Sequence, residues 1–139
     1  MKLSTRNQWK VTVKSITEGI VNSEVQMALS ENVIVTAIIT NGAVRNLDLK
    51  TGDVVIALIK ASEIMLGYDI GRISARNVLD GKVSGVKIGA VSAEITVDLQ
   101  SGVTVTSVIT KTSAEKLEIK TGKEISVIIK ASSVMIAKE

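Results

Sequence analysis

Two stretches of this chain offer the same hydrogen-bond donors in the same order. Ser4-Thr5-Arg6-Asn7 and, 70 residues on, Ser74-Ala75-Arg76-Asn77 each set a hydroxyl, a guanidinium and an amide side by side. Such a set suits an oxyanion, because the groups are mostly donors and the guanidinium adds a fixed positive fork. Taken once, the segment reads better as a strand-entry turn with Ser or Asn capping backbone and Arg solvated. Its recurrence at equal spacing favours binding. Lys60-Ala61-Ser62 and Lys130-Ala131-Ser132 recur at the same offset, each closing an apolar run. An edge lysine followed by a turn serine accounts for them as well as an anion site does. Thr40 and Thr110 stand where an apolar run meets a helical patch, and helix starts favour negative charge. Ser113 adds a hydroxyl there, with Ala43 in its place in the first copy, and Thr112-x-x-Glu115 reads as a capping box.

Other chemistries find little support. The chain has no Cys and no His, which removes thiol chemistry, disulfides and the usual zinc and copper ligands. Ser84-Gly85-Val86-Lys87 with Lys50-Thr51-Gly52 and Lys120-Thr121-Gly122 echoes serine beta-lactamases, but Ser-Asp-Asn is missing and the chain is too short. Glu24 and Glu94 match across copies, which is weak ground for general-base catalysis; a place on the polar face of strand two, or pairing with a basic residue, accounts for them better. No phosphate-binding P-loop pattern occurs. No enzyme is expected.

The elements that must position these residues are short strands. Trp9–Ile16 and Ser23–Leu29 alternate apolar and polar residues, and Val33–Thr40 is more continuously apolar. A helical patch over Asn41–Leu47 follows, then strands over Val54–Lys60 and Ile64–Leu66. The second copy repeats the series at Gly81–Ile88, Ala93–Leu99, Val103–Thr110, a helix near Ala114–Leu117, Ile125–Lys130 and Val134–Ile136. Without Phe, and with one Trp and one Tyr, the core must be Val, Ile, Leu, Ala and Met, a composition that favours strands. The expected fold is all-β: two tandem OB-fold-like five-stranded β-barrel domains, each with a short helix between strands three and four. The expected domains are residues 1–69 and 70–139, joined at Gly67-Tyr68-Asp69-Ile70-Gly71.

Net charge is +3, carried by the second copy: Lys and Arg against Asp and Glu run 7 to 7 over residues 1–69 and 10 to 7 over 70–139. That excess suits small anions better than nucleic acid, which needs a clustered basic face. No run approaches the roughly 20 apolar residues of a membrane span, and no signal peptide follows Met1. Cytoplasm is the expected location, without a membrane partner. Met1 lies close to the first motif, as expected of a complete chain.

The [ST]-x-R-N opening, the turn Glu18-Gly19-Ile20-Val21-Asn22-Ser23-Glu24 (degenerate as Ile88-Gly89-Ala90-Val91-Ser92-Ala93-Glu94) and the Ile-Lys-Ala-Ser ending together resemble a Mop domain. Two in tandem are similar to the molbindins. The resemblance spans the chain. It implies an OB-like fold, binding of molybdate or tungstate without a cofactor, storage and homeostasis as the role, and a homo-oligomer, a trimer in particular, with sites between domains or subunits. It assigns one oxyanion site to Ser4, Arg6, Asn7, Thr40, Lys60, Ala61 and Ser62, and its counterpart to Ser74, Arg76, Asn77, Thr110, Ser113, Lys130, Ala131 and Ser132. A second class of site falls on Gly19, Val21, Asn22 and Ser23, and on Gly89, Val91, Ser92 and Ala93. Ala43, Val11 and Ser92 depart from the pattern kept by Ser113, Gly81 and Asn22, so equal affinity at all sites is not implied. A tetrahedral dianion needs N–H and O–H donors, which agrees with the missing His and Cys. Two other readings stay open: the sensing fragment of a molybdate-responsive regulator or transporter, and an OB-type nucleic-acid module, for which Trp9 and Tyr68 offer few stacking platforms.

Overall fold

The computed structural model describes residues 1–139. The first repeat forms β1 (Asn7–Glu18), β2 (Asn22–Ser30), β3 (Val33–Thr40), α1 (Asn41–Asn46), β4 (Val54–Ile59), a 3₁₀ turn (Ala61–Glu63) and β5 (Met65–Gly67). The second forms β6 (Asn77–Ile88), β7 (Ser92–Leu99), β8 (Thr104–Thr110), α2 (Lys111–Lys116), β9 (Glu124–Ile129), a 3₁₀ turn (Ala131–Ser133) and β10 (Met135–Ala137). The all-β expectation with one short helix per repeat holds. The first strand of each repeat starts earlier than its alternation suggests. Asn7 donates its side-chain amide to the Ile59 carbonyl at 3.1 Å, and Asn77 does the same to Ile129 at 3.2 Å, which fastens these residues onto β4 and β9.

The chain forms two compact units, and they are not the two sequence repeats. The first is Met1–Ile59 with Lys130–Glu139, and the second is Lys60–Ile129. In the first unit a five-stranded sheet runs β10-β4-β1-β2-β3, and in the second β5-β9-β6-β7-β8. The fifth strand of each repeat thus completes the sheet begun by the other. Met135 pairs with Leu58, and Met65 with Ile128. The junction around Asp69 lies inside the second unit, because the chain crosses between units at Ile59–Lys60 and Ile129–Lys130. Local periodicity cannot reveal this, since the strand pattern is the same whichever sheet accepts it.

Each sheet curls until its ends approach. The 3₁₀ turn before β10 packs on β3, and the turn before β5 packs on β8. Bulges at Lys14 and Ser84 interrupt the β1–β2 and β6–β7 registers and add the twist that such curling needs. The cores are the inward positions of the strands: Val13, Val25, Met27, Val35, Val55 and Ile59 in one unit, and Val83, Ile95, Val97, Val105, Val127 and Ile129 in the other. Burying each of these side chains contributes about 1.5–3 kcal/mol. No helix is long and apolar enough to cross a membrane.

Candidate functional site

In the second unit four of the candidate hydroxyls line one groove of about 510 Å³, whereas Lys60, Ser74, Arg76 and Asn77 are not part of its lining. Ser62 enters from the 3₁₀ turn, Ser92 from the start of β7, Thr110 from the end of β8 and Ser113 from α2. Pairing of β7 with β8 sets Ser92 directly opposite Thr110. Ile64, Met65, Leu66, Val108, Ile109 and Leu117 complete the walls, so no carboxylate lines the groove. The arrangement offers four hydroxyls from separate parts of the chain on an apolar base.

Thr110 organises one side. Its backbone is extended (φ −70°, ψ 149°), and its Oγ1 accepts from the Ser113 N–H at 3.0 Å, making it the N-cap of α2. The same hydroxyl donates to Ser113 Oγ at 2.8 Å, leaving the Ser113 proton for another acceptor. The capping role expected of Thr112 therefore belongs to Thr110, because α2 begins at Lys111 and takes Thr112 into its first turn. Thr40 caps α1 in the same way, accepting from Ala43 N–H at 3.0 Å, with no second hydroxyl beside it.

The expected site sets are re-sorted by the strand exchange. Lys60, Ala61 and Ser62 belong to the unit of Ser74, Arg76, Asn77, Thr110 and Ser113, while Lys130, Ala131 and Ser132 belong to that of Ser4, Arg6, Asn7 and Thr40. Lys60 and Lys130 are exposed and extended at the start of their 3₁₀ turns, and Ala61 and Ala131 are buried beneath. Ser4, Arg6, Ser74 and Arg76 are exposed, whereas Asn7 and Asn77 are buried with their amides on strand carbonyls.

The glycine turns are tight. Gly19 N–H donates to the Asn22 carbonyl and Gly89 N–H to the Ser92 carbonyl, both at 2.8 Å. A Cβ on Gly19 would lie 2.7 Å from that carbonyl oxygen, which explains the glycine. Val21, Asn22, Val91 and Ser92 are exposed around these turns, while Ser23 and Ala93 face inward. The Ser23 hydroxyl is committed to Asn41 Oδ1 at 2.6 Å, and Asn41 Nδ2 donates to the Gly19 carbonyl at 2.9 Å. Sequence reasoning assigned Ser92 to the glycine-turn class alone. Its place in the hydroxyl groove follows from the β7–β8 register, which the alternating patterns of the two strands could have indicated.

Comparison with known proteins identifies the family. Residues 3–66 and 73–136 each match the TOBE domain. The chain is 43% identical over 139 residues to the molybdenum-pterin-binding protein MopA of Rhodobacter capsulatus, covering 99% of this chain and 52% of that protein. One repeat is 48% identical over 64 residues to molybdenum-pterin-binding protein 3 of Clostridium pasteurianum, covering 46% of this chain and 94% of that protein. A crystal structure of the cytoplasmic molybdate-binding protein ModG with molybdate bound superposes with a TM-score of 0.96, at 40% identity, over the whole of both chains. The chain spans about half the length of the longer curated relatives it matches.

Proposed function

We propose that this chain, which belongs to the TOBE domain family, binds molybdate, and tungstate by the same donor chemistry, for storage and homeostasis in the cytoplasm. One observation carries the reading: Ser62, Ser92, Thr110 and Ser113 line a single groove that holds no carboxylate. A tetrahedral dianion is all acceptor, so hydroxyl donors orient on it while a nearby carboxylate would repel it. The exposed Lys60 at the head of the Ser62 turn adds positive charge without needing a fixed partner geometry. The likeness to molybdate-bound ModG supports the same ligand. The role is binding rather than catalysis.

In this proposal a trimer of the chain completes the sites, with Ser4-x-Arg6 and Ser74-x-Arg76 reaching an anion held by a neighbouring copy. Exposed Ile20, Val21 and Val91 at the glycine turns supply apolar surface that such an interface would cover. A second reading, a ligand-sensing part of a longer regulator or transporter, is favoured by the half-length match to the longer relatives. A nucleic-acid role is disfavoured. Trp9 is buried at 4% exposure, which leaves Tyr68, with Lys123 against its ring, as a single exposed aromatic and too few stacking platforms.

The test is calorimetric titration of the full chain with molybdate, tungstate and sulfate, with mass measured by light scattering. Saturable heat with molybdate and tungstate at micromolar affinity or tighter, little with sulfate, and a mass of three chains are expected. Absence of heat with molybdate would defeat the reading.

A further inference from the structure

We propose that four residues, Asp53, Tyr68, Lys123 and Lys138, decide which sheet each fifth strand joins. Lys138 follows β10, and its ammonium donates to the Asp53 carboxylate at 2.9 Å and to the Asp48 carbonyl at 2.7 Å. Tyr68 follows β5, and the Lys123 ammonium sits 3.8 Å from the centre of its ring while donating to the Leu117 carbonyl at 2.7 Å. Tyr68 and Lys138 are equivalent positions of the two repeats, and so are Asp53 and Lys123. The two units therefore close their fifth strand at the same place with different chemistry, an ion pair in one and a cation over a ring in the other.

The alternative arrangement, in which each fifth strand closes its own repeat in the same register, would mismatch both places. Lys138 would meet Lys123, a like-charge contact, and Asp53 would meet the negative face of the Tyr68 ring. The strands themselves discriminate weakly. Met65 and Leu66 face Ile128 and Val127, and Met135 and Ile136 face Leu58 and Ala57, so apolar residues meet apolar residues either way. Lys138 and Asp53 are only 28% and 24% exposed, so solvent does not fully screen their pairing. Strand choice thus rests on side chains just beyond the strands, one attraction in each unit and two mismatches in the arrangement avoided.

Cysteine competition in the full chain tests this, since the chain has no native Cys. Leu58→Cys, Met65→Cys and Met135→Cys are introduced together, the protein is refolded and oxidised, and the disulfides are read by mass spectrometry of a digest. Position 58 bonds to 135 in the exchanged arrangement and to 65 in the alternative. The 58–135 bond is expected to dominate. Adding Asp53→Lys and Lys123→Asp reverses the pattern and should move the ratio toward 58–65 by about tenfold; an unchanged ratio would overturn the proposal. If that variant does not refold, Asp53→Lys/Lys138→Asp decides. Lysine is tolerated at this turn position, as Lys123 shows, with Lys123 N–H on Lys120 as Asp53 N–H is on Lys50. In the double variant the new carboxylate at position 138 meets a lysine, and Tyr68 meets a lysine, in either arrangement. The 58–135 bond should therefore lose its dominance and approach parity with 58–65, while the protein melts above Asp53→Lys alone. A 58–135 preference unchanged from the three-cysteine parent would overturn the proposal. No recovery over the single variant would overturn the proposal.

Discussion

The hydroxyl of Ser107 donates to the carbonyl oxygen of Ile64 at 2.8 Å, with Ser107 wholly buried. It joins β8 to the residue that leads into β5, and so ties the exchanged strand to the sheet that receives it. The equivalent residue of the first repeat is the buried Ala37, which carries no hydroxyl. Ser107→Ala leaves a buried carbonyl without this donor and should cost about 1–2 kcal/mol. Urea unfolding should show a lower midpoint with an unchanged slope.

Ser113 is the hydroxyl that distinguishes the second unit's groove from the Thr40 and Ala43 arrangement in the first. A hydrogen bond to a charged group is worth about 1.5–3 kcal/mol, so Ser113→Ala should weaken molybdate binding at that site by about tenfold or more. Its backbone N–H keeps the Thr110 cap, so melting should hardly change. Ala43→Ser should strengthen binding in the first unit. Calorimetry on both variants checks the pair.

Gly81 pairs with Leu99, and a Cβ there would lie 2.7 Å from the Asp98 carbonyl oxygen and from Val97 Cγ1. The equivalent Val11 is buried without difficulty in the first repeat. Gly81→Val should nevertheless destabilise by about 1–3 kcal/mol, because a backbone atom must yield. A Tm equal to that of the parent would show that the strands can separate there at little cost.

Asp53 has its carboxyl held below the usual 3.8, first by the Lys138 hydrogen bond and then by the Lys50 N–H. A depressed carboxylate stabilises the folded state above its unfolded pKa, and that stability is lost as pH falls through the folded value. The acid-side fall in Tm should therefore appear below about pH 4. Asp53→Asn should lower Tm near neutrality and flatten that fall. A profile identical to the parent's between about pH 7 and pH 2 would remove Asp53 from the acid response.

Much of the fold was legible because its information is local. The alternation over Trp9–Ile16 and its counterpart over Gly81–Ile88 mark the bodies of the first strands, and Val33–Thr40 followed by Asn41 marks the third strand and its helix. The duplicated Ser-x-Arg-Asn and Lys-Ala-Ser segments marked candidate donors for the same reason: residue type and spacing suffice to state what a segment can bond. Sequence reasoning misplaced the helix cap because Thr110 and Thr112 both offer a hydroxyl near the start of α2, and only backbone geometry separates them.

The sequence by itself determined that the chain is β-rich, doubled, free of thiol and imidazole chemistry and supplied with hydroxyl and basic donors. Only the tertiary structure decided which donors share a groove. Ser62 keeps company with Ser92, Thr110 and Ser113 because β5 completes the sheet of the other repeat. The physical reason is that periodicity encodes which face of a strand is buried, whereas choice of partner sheet depends on contacts between residues far apart in the chain.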